Sequence, residues 1–257
     1  MTALIITITA FLASILTLYS GFGLGTLFMP VVAIFLPVTV AVALTAFVHL
    51  LNNLFKLGAL WRDINRRITW RFGLPAILAA IPGAWFLTGL SDLPEIHSYR
   101  AAEHDFIITP VKLIIGILLL VFATMEWLPV LKKAKFTEKS LPLGGVLSGF
   151  FGGLSGHQGA FRSVFLLHAG LDKNAFVATN AAISVLVDIT RLAVYGMNIT
   201  LLIAQVNTEL IIAATAAAFA GVLAGKAGLK KMTIGFIRKL VAVLLYILGA
   251  LLIAGLV

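Results

Sequence analysis

Two glycine-rich breaks interrupt the long apolar stretches of this chain, at Ser20–Gly25 (SGFGLG) and at Gly152–Gly159 (GGLSGHQG). Each break lies between apolar segments that are too short for an ordinary transmembrane helix. Backbone that leaves a helix at membrane depth is stable only where it is buried in protein or lines a cavity. Glycine breaks at corresponding positions of two halves therefore predict a binding cavity inside a membrane protein.

The two breaks belong to two related halves of the chain. A shift of 134 residues aligns Gly25 with Gly159 and Thr45 with Thr179 without a gap. Because each half contains one break followed by one long helix with polar residues, we interpret the halves as structural repeats. The first membrane repeat spans residues 1–131, the second spans residues 140–257, and residues 132–139 form the linker between them.

The composition is typical of a membrane protein. The chain is 61% hydrophobic and 11% charged, with a mean hydropathy of +1.08, whereas a soluble domain carries about 25% charged residues. Its 257 residues have room for about eight spans of about 20 residues. The chain has no cysteine, which excludes disulfides and thiolate metal sites. We predict an all-α integral membrane fold of about eight transmembrane helices, with glycine-broken, re-entrant half-helices at residues 20–36 and 142–170.

The net charge of +9 lies mainly in short loops, which indicates membrane topology and not nucleic-acid binding. Basic residues exceed acidic ones in loops 62–71, 132–139 and 226–239, so we expect these loops to be cytoplasmic. The acidic segment 91–105 should face outward. Counting the crossings between these loops places both termini outside the cytoplasm and gives the two repeats opposite orientations. The predicted location is the bacterial inner membrane, where the chain crosses the lipid bilayer several times.

The segments after the breaks are about half as long as a membrane span. Thr26–Leu36 has 11 residues and Ala160–Ala169 has 10. Each would reach roughly 15 Å, half of a hydrocarbon core of about 30 Å. These lengths favour re-entrant hairpins, and the alternative of two thin crossings stays open. A helix N-terminus at a break exposes free N–H groups and carries partial positive charge, which attracts anions.

Polar side chains lie on one face of the long helix that follows each break. Charged side chains at membrane depth are costly and mark functional sites by default. The face in the second repeat carries, at spacings of four, four and three residues, Asn180, Ser184, Asp188 and Arg191. The face in the first repeat carries Thr45, His49, Asn52, Asn53 and Lys56. The two faces predict a polar cavity between the repeats.

Arg162 is the strongest candidate for binding an anion. It follows the second break, and no acidic residue lies near it in the sequence. A guanidinium binds oxyanions through paired hydrogen bonds. We predict no catalytic residue, metal or cofactor. The predicted site for a small anionic substrate comprises Arg162, His157, Gln158, Gly156, Gly159, Gly23, Gly25, Asn52, Asn180, Arg191 and Lys56.

Asp188 and His49 are the candidates to carry a coupling proton. For each charged group the sequence also allows a structural role. For Asp188 this role is an ion pair with Arg191 that only locks the helix, and for His49 it is an interhelical hydrogen bond. For Lys56, five residues before Trp61, it is extension of the side chain to the cytoplasmic interface.

Several motifs resemble one family of membrane permeases. They are the GFGLG break at Gly21–Gly25, the AVALT helix that begins at Ala41, the basic segment RITWR at Arg67–Arg71, and the second-half sequences LSGFFGGLSGHQGAF and GLDKNAFVATNA. Together they resemble the TauE/SafE, or sulfite exporter, family over nearly the whole chain. The resemblance implies an integral membrane transporter of small sulfur-containing anions, such as sulfite or organosulfonates.

Two other functions are alternatives to transport. A passive anion channel would have the same fold and a continuous water-filled path. An intramembrane enzyme would need His49, His157 and Asp188 to converge, and no motif spacing supports it. The sequence leaves open the direction of transport, the coupling ion and whether the protein is a homo-oligomer.

Overall fold

The described residues form a bundle of apolar helices and one small β-hairpin. Among the residues that the structure describes, four helices are long and apolar enough to cross a membrane, and four shorter apolar helices accompany them. This architecture agrees with the predicted all-α membrane protein. The computed structural model describes residues 1–20, 24–101, 104–127, 136–196, 206–228 and 234–257.

The N-terminal half contains five α-helices in its described residues. The half-helix predicted at Thr26–Leu36 has different bounds in the structure. It starts as a π-helical turn, Leu24–Phe28, and continues as a short α-helix that ends at Ala33. The helices are α1 (Thr2–Ser20), α2 (Met29–Ala33), α3 (Val38–Leu60), α4 (Arg66–Ser91) and α5 (Pro110–Trp127), with a 3₁₀ turn at Trp61–Asp63 after α3.

A two-stranded antiparallel hairpin occupies part of the acidic segment that was expected to be a loop. Its strands are β1 (His97–Ala101) and β2 (His104–Ile108), with His97 opposite Ile108. The Tyr99 ring packs on Phe106 across the strands, at 5.3 Å between ring centroids. The Tyr99 hydroxyl donates to the carbonyl oxygen of Ala254 at 2.6 Å. This hydrogen bond attaches the hairpin to the C-terminal end of the chain.

The C-terminal half also contains five α-helices in its described residues. The second break separates the first two of them, as predicted. The predicted end of the long polar helix at Met197 lies outside the described residues. The helices are α6 (Leu141–Ser155), α7 (Gln158–Leu167), α8 (Lys173–Tyr195), α9 (Thr208–Gly228) and α10 (Ile234–Ile253).

Helices α4 and α6 run parallel and pack backbone to backbone along a row of glycines. A Cβ atom at Gly149 would lie 2.1 Å from the carbonyl oxygen of Ala76, so only glycine fits there. The same close approach recurs one helical turn before and after it, where Gly145 meets Phe72 and Gly153 meets Ala80. Small residues at intervals of four let two membrane helices approach closely. Both helices therefore begin at the same end of the bundle.

Helix α7 folds back along α6 as the second arm of a hairpin. The Ser148 hydroxyl donates to the carbonyl oxygen of Gln158 at 2.9 Å, near the break. Further along, a Cβ at Gly144 would touch the ring of Phe165. The ring of His168, just past α7, lies 5.8 Å from that of Phe136, which precedes α6. The chain thus returns after the second break to the end of the bundle where α6 began.

The two ends of the bundle are identified by their contacts. At the end where α4 and α6 begin, Arg67 and Arg71 both contact the carboxylate of Glu138, at 3.2 and 3.0 Å. At the far end of α4, the β-hairpin joins the C-terminus through Tyr99 and Ala254. The C-terminal end of α10 therefore lies at the opposite end of the bundle from Glu138.

Helix packing follows the same pattern in the two halves. Helix α4 packs on α6, and α1 packs on α9. Helix α8 contacts α4, and α3 contacts α9. The remaining large contacts join α3 to α8 and α5 to α10. The two halves can be compared by exchanging each helix of the first half for its counterpart in the second, α1 for α6 and so on to α5 for α10. This exchange turns each of these pairings into another of them or leaves it unchanged.

Candidate functional site

The interior of the bundle holds more positive than negative charge. Among the described residues, the buried charged side chains are Lys56, Arg162, Arg191 and Asp188, with 3%, 1%, 0% and 0% of their surface exposed. Three cations therefore face one carboxylate, an excess of two positive charges if all four are ionised. A charged side chain at the bilayer centre costs about 2.5–3.5 kcal/mol on insertion scales. Such an excess suits a site that takes up an anion.

Asp188 is the centre of the polar cluster. Its carboxylate lies 2.6 Å from Nδ1 of His49 on α3 and accepts a hydrogen bond from Nε2 of Gln158 at 2.9 Å. Arg191 lies one turn further along α8. Its Nε donates to Oδ1 of Asp188 at 3.0 Å, and its Nη2 lies 2.7 Å from the same Oδ1. The ion pair that the spacing suggested is present, and so is the interhelical contact of His49. Asp188 thus ties α3, α7 and α8 together.

Arg162 has hydrogen bonds to amides and no ion pair within the described part of the chain. Its Nε donates to Oδ1 of Asn180 at 2.6 Å, and its Nη1 donates to Oε1 of Gln158 at 2.9 Å. Gln158 uses its other amide atom on Asp188. The guanidinium is therefore linked to the carboxylate through Gln158 and does not contact it directly. The contacts supply orientation without neutralising the charge of Arg162.

Lys56 is buried inside the bundle, and its ammonium group contacts a polar side chain. Its Nζ lies 3.1 Å from the terminal amide of Asn52, which accepts through its oxygen in the amide orientation that best satisfies its neighbours. In that orientation the Asn52 nitrogen faces the Ser14 hydroxyl on α1 and the carbonyl oxygen of Ala218 on α9. Lys56 therefore adds a third buried cation to the interior, in addition to Arg162 and Arg191.

The two glycine breaks meet inside the bundle. A Cβ at Gly25 would lie 2.7 Å from the carbonyl oxygen of Gly156. Gly156 has φ +80°, a left-handed conformation that favours glycine, and it ends α6. Gly159 is buried in the first turn of α7. Gly23 lies outside the described residues.

His157 belongs to an aromatic cluster beside the polar one. Its ring stacks on Phe122 of α5, with 5.0 Å between centroids, and its Nδ1 lies 3.0 Å from the carbonyl oxygen of Ser155. The contacts described for His157 do not include Arg162 or Gln158. The structure therefore places nine of the eleven residues predicted for the substrate site at the breaks and on the two polar helix faces, whereas the His157 ring contacts Phe122 and Ser155.

An apolar groove in the described region lies away from the polar cluster. It has a volume of about 630 Å³ and is lined by apolar side chains of α3, α8 and α9. We assign the candidate site to the buried polar cluster, because an anion needs donors and positive charge. The near-zero exposure of Arg162 means that this conformation is closed around the cluster.

Two features of the site were not recognised in the sequence. Ser14 contributes a hydroxyl to Asn52, and the Tyr195 hydroxyl donates to the carbonyl oxygen of Gly153. Ser14 was detectable, since the shift of 134 residues places it on Ser148, another buried serine beside a break. Tyr195 had no such signal.

Comparison with known proteins supplies the family. A family model described as Sulfite exporter TauE/SafE matches residues 6–252, nearly the whole chain. The chain belongs to the TauE/SafE sulfite exporter family. No curated protein and no solved structure matches it. Membership of the TauE/SafE family makes this chain a membrane transport protein, in agreement with its apolar helices.

Proposed function

We propose that this TauE/SafE protein is a permease for a small sulfur-containing oxyanion, such as sulfite or an organosulfonate. The observation that carries the proposal is Arg162, a fully buried guanidinium held by two amides and not neutralised by a carboxylate among the described residues. An oxyanion would supply the missing negative charge and accept paired hydrogen bonds. The burial of Arg162 favours a carrier with a closed state over a continuously open channel.

The remaining polar residues would complete the site. Gln158 and Asn180 orient Arg162, and the backbone N–H groups at Gly25 and Gly159 would donate to the anion. The N–H of Gly156 already donates to the carbonyl oxygen of Gly152 at 3.0 Å, so Gly156 would shape the break. Lys56 and Arg191 would add positive potential. Asn52 positions Lys56. His157 would contribute only after a change in the position of its ring.

We further propose that the two halves are inverted repeats with the substrate between them. The exchange pattern of helix packing supports this arrangement, because an inverted repeat requires each contact to have such a counterpart. The shared end of α4 and α6 carries basic residues and would be cytoplasmic, which leaves the hairpin and both termini outside the bacterial inner membrane. The helical hairpin formed by α6 and α7 would enter the membrane from the cytoplasmic side and return to it.

Proton coupling is proposed for the pair formed by His49 and Asp188. The pair bridges α3 of the first half and α8 of the second at 2.6 Å. A proton on His49 strengthens this bridge and its loss weakens it, so protonation would couple to the relative position of the halves. The anion and the proton would then use neighbouring parts of one polar cluster.

The test of the proposed function is sulfite binding and uptake by purified protein in liposomes. Arg162→Lys keeps the charge but loses the fork of donors, and one hydrogen bond to a charged group is worth roughly 1.5–3 kcal/mol. We expect at least about a tenfold weaker affinity, and Arg162→Ala should bind more weakly still. Arg100→Lys, an exposed arginine of the hairpin, is the matched control.

Folding must be separated from binding in this test. Each variant is compared by its elution profile and its thermal unfolding in detergent. A well-folded Arg162→Ala protein that binds sulfite, sulfate, taurine and sulfoacetate as the wild type does would refute the assignment of Arg162. Binding of simple carboxylates alone would refute the substrate class.

A further inference from the structure

One face of α4 is basic at its start and apolar beyond it. Arg67 and Arg71 are separated by one turn, and Leu74, Leu78 and Pro82 continue the same face at intervals of three and four residues. The two arginines are exposed, as are Leu74 and Leu78. This face is an amphipathic stripe that runs from one end of the bundle along its outer surface.

The apolar part of the stripe forms one wall of a groove. The groove has a volume of about 610 Å³, and α6 supplies the other wall through Val146 and Phe150. The glycine row of α6 brings the two helix axes close, so the larger side chains on either side leave a furrow between them. Pro75 and Pro82 of α4 also line it. In a bilayer such a furrow faces the acyl chains.

The basic end of the groove carries excess positive charge. Glu138 contacts both arginines and holds their guanidinium groups side by side. Two further exposed cations, Arg66 and Lys139, lie at the starts of the same two helices. Four cations against one carboxylate leave three positive charges at the level where lipid headgroups lie. Trp70, 59% exposed, adds an interfacial anchor next to Arg71.

We propose that this stripe is a binding site for an anionic phospholipid of the leaflet at the basic end of the bundle. The headgroup phosphate binds Arg67 and Arg71, and one acyl chain lies in the groove between α4 and α6. Basic pockets between membrane helices suit acidic headgroups. A zwitterionic lipid lacks the net charge, and a free phosphate lacks the chain. The proposal is independent of the transported anion.

The test measures phosphatidylglycerol bound to the full-length protein by native mass spectrometry in neutral detergent. Each basic residue near the surface contributes about fivefold to the affinity, so Arg67→Gln with Arg71→Gln should weaken binding about 25-fold. The matched control, Arg100→Gln with Lys112→Gln, removes two cations at the opposite end of the bundle, beside the β-hairpin, and should change affinity less than twofold. Glu138→Gln should bind at least as tightly as the wild type.

Two further arms test the groove and the source of the phosphate. Leu78→Trp fills the groove and should weaken phosphatidylglycerol binding severalfold, while excess glycerol phosphate should not displace the lipid. Phosphatidylcholine should not bind. An equal loss in the control pair, weaker binding by Glu138→Gln, full binding by Leu78→Trp, or displacement by glycerol phosphate would each overturn the site. Sulfite uptake tests the transport proposal separately.

Discussion

Arg162 and Asp188 are linked through one side chain and do not touch. Gln158 accepts from Nη1 of Arg162 at 2.9 Å and donates to Oδ1 of Asp188 at 2.9 Å. A glutamine can do both because its amide has an acceptor and a donor. The spacer keeps the buried cation from forming an ion pair with the buried carboxylate. The separation leaves Arg162 available to an external anion.

Gln158→Glu should abolish this separation. The new carboxylate would pair with Arg162 and repel Asp188, so we expect sulfite affinity to fall by about tenfold or more. Calorimetric titration of the purified variant measures the change. Gln158→Met keeps the length without the charge and should weaken binding less. Wild-type affinity in Gln158→Glu would show that Arg162 does not bind the anion.

Asp188→Asn should destabilise the protein. The change removes the charge partner of Arg191, and breaking a buried ion pair on one side costs about 3–5 kcal/mol. The midpoint of thermal unfolding in detergent should drop. Adding Arg191→Gln removes the uncompensated cation and should restore part of the loss. Unchanged unfolding of the single variant would mean that Asp188 is protonated in the folded protein.

His49→Gln tests the coupling proton. The amide retains a donor for Asp188 but cannot take up a proton, so the folded variant should transport down an anion gradient and fail to respond to a pH gradient. Flux into liposomes with and without the pH gradient measures this. His168→Gln, at an exposed histidine near the end of α7, is the control. Normal pH-driven uptake by His49→Gln would remove His49 from the coupling mechanism.

Gly149→Ala should separate α4 from α6. The added methyl would lie 2.1 Å from the backbone oxygen of Ala76, and backbone cannot rotate away as a side chain can. We expect the free energy of unfolding to fall by about 1–3 kcal/mol or more, which would lower the midpoint of thermal unfolding. The control is Gly89→Ala, because a Cβ at Gly89 on α4 would meet no atom within 4 Å. This change should leave the free energy of unfolding unchanged or raise it by up to about 1 kcal/mol. Equal effects at the two positions would contradict the glycine row.

Single cysteines test the topology cleanly, since the chain has none. Ser98→Cys in the hairpin should react with an impermeant thiol reagent in intact cells, and Lys139→Cys should react only after lysis. The two positions lie at opposite ends of the bundle. The reverse pattern of labelling would invert the orientation and refute the cytoplasmic placement of the basic loops.

Structural features that depend on residues close together along the chain could be predicted from the sequence. Glycines and short apolar lengths revealed the break between α6 and α7, and the spacing of Asp188 and Arg191 revealed their ion pair. The β-hairpin was missed because it is short, polar and stabilised by a distant partner, Ala254. The glycine row at 145, 149 and 153 had a readable spacing of four, but its partner helix is given only by the fold.

The bridging role of Gln158 could not be predicted for a related reason. Its two contacts lie 4 and 30 residues away along the chain, and only the first is fixed by helix geometry. The π-helical turn after the first break was missed as well, because residue propensities do not separate one extra residue per turn from an ordinary helix.

The exchanged pairing of helices sets an order for biosynthesis. Helix α4 ends at Ser91, and its partner α6 begins only at Leu141; α1 ends at Ser20, and its partner α9 begins at Thr208. Both early helices therefore enter the membrane long before the surfaces that they will pack against have been translated. We therefore expect the nascent first half to remain unpaired until the second half has been translated. Because the largest helix contacts of each half lie with the other half, we expect neither half to fold when it is produced alone.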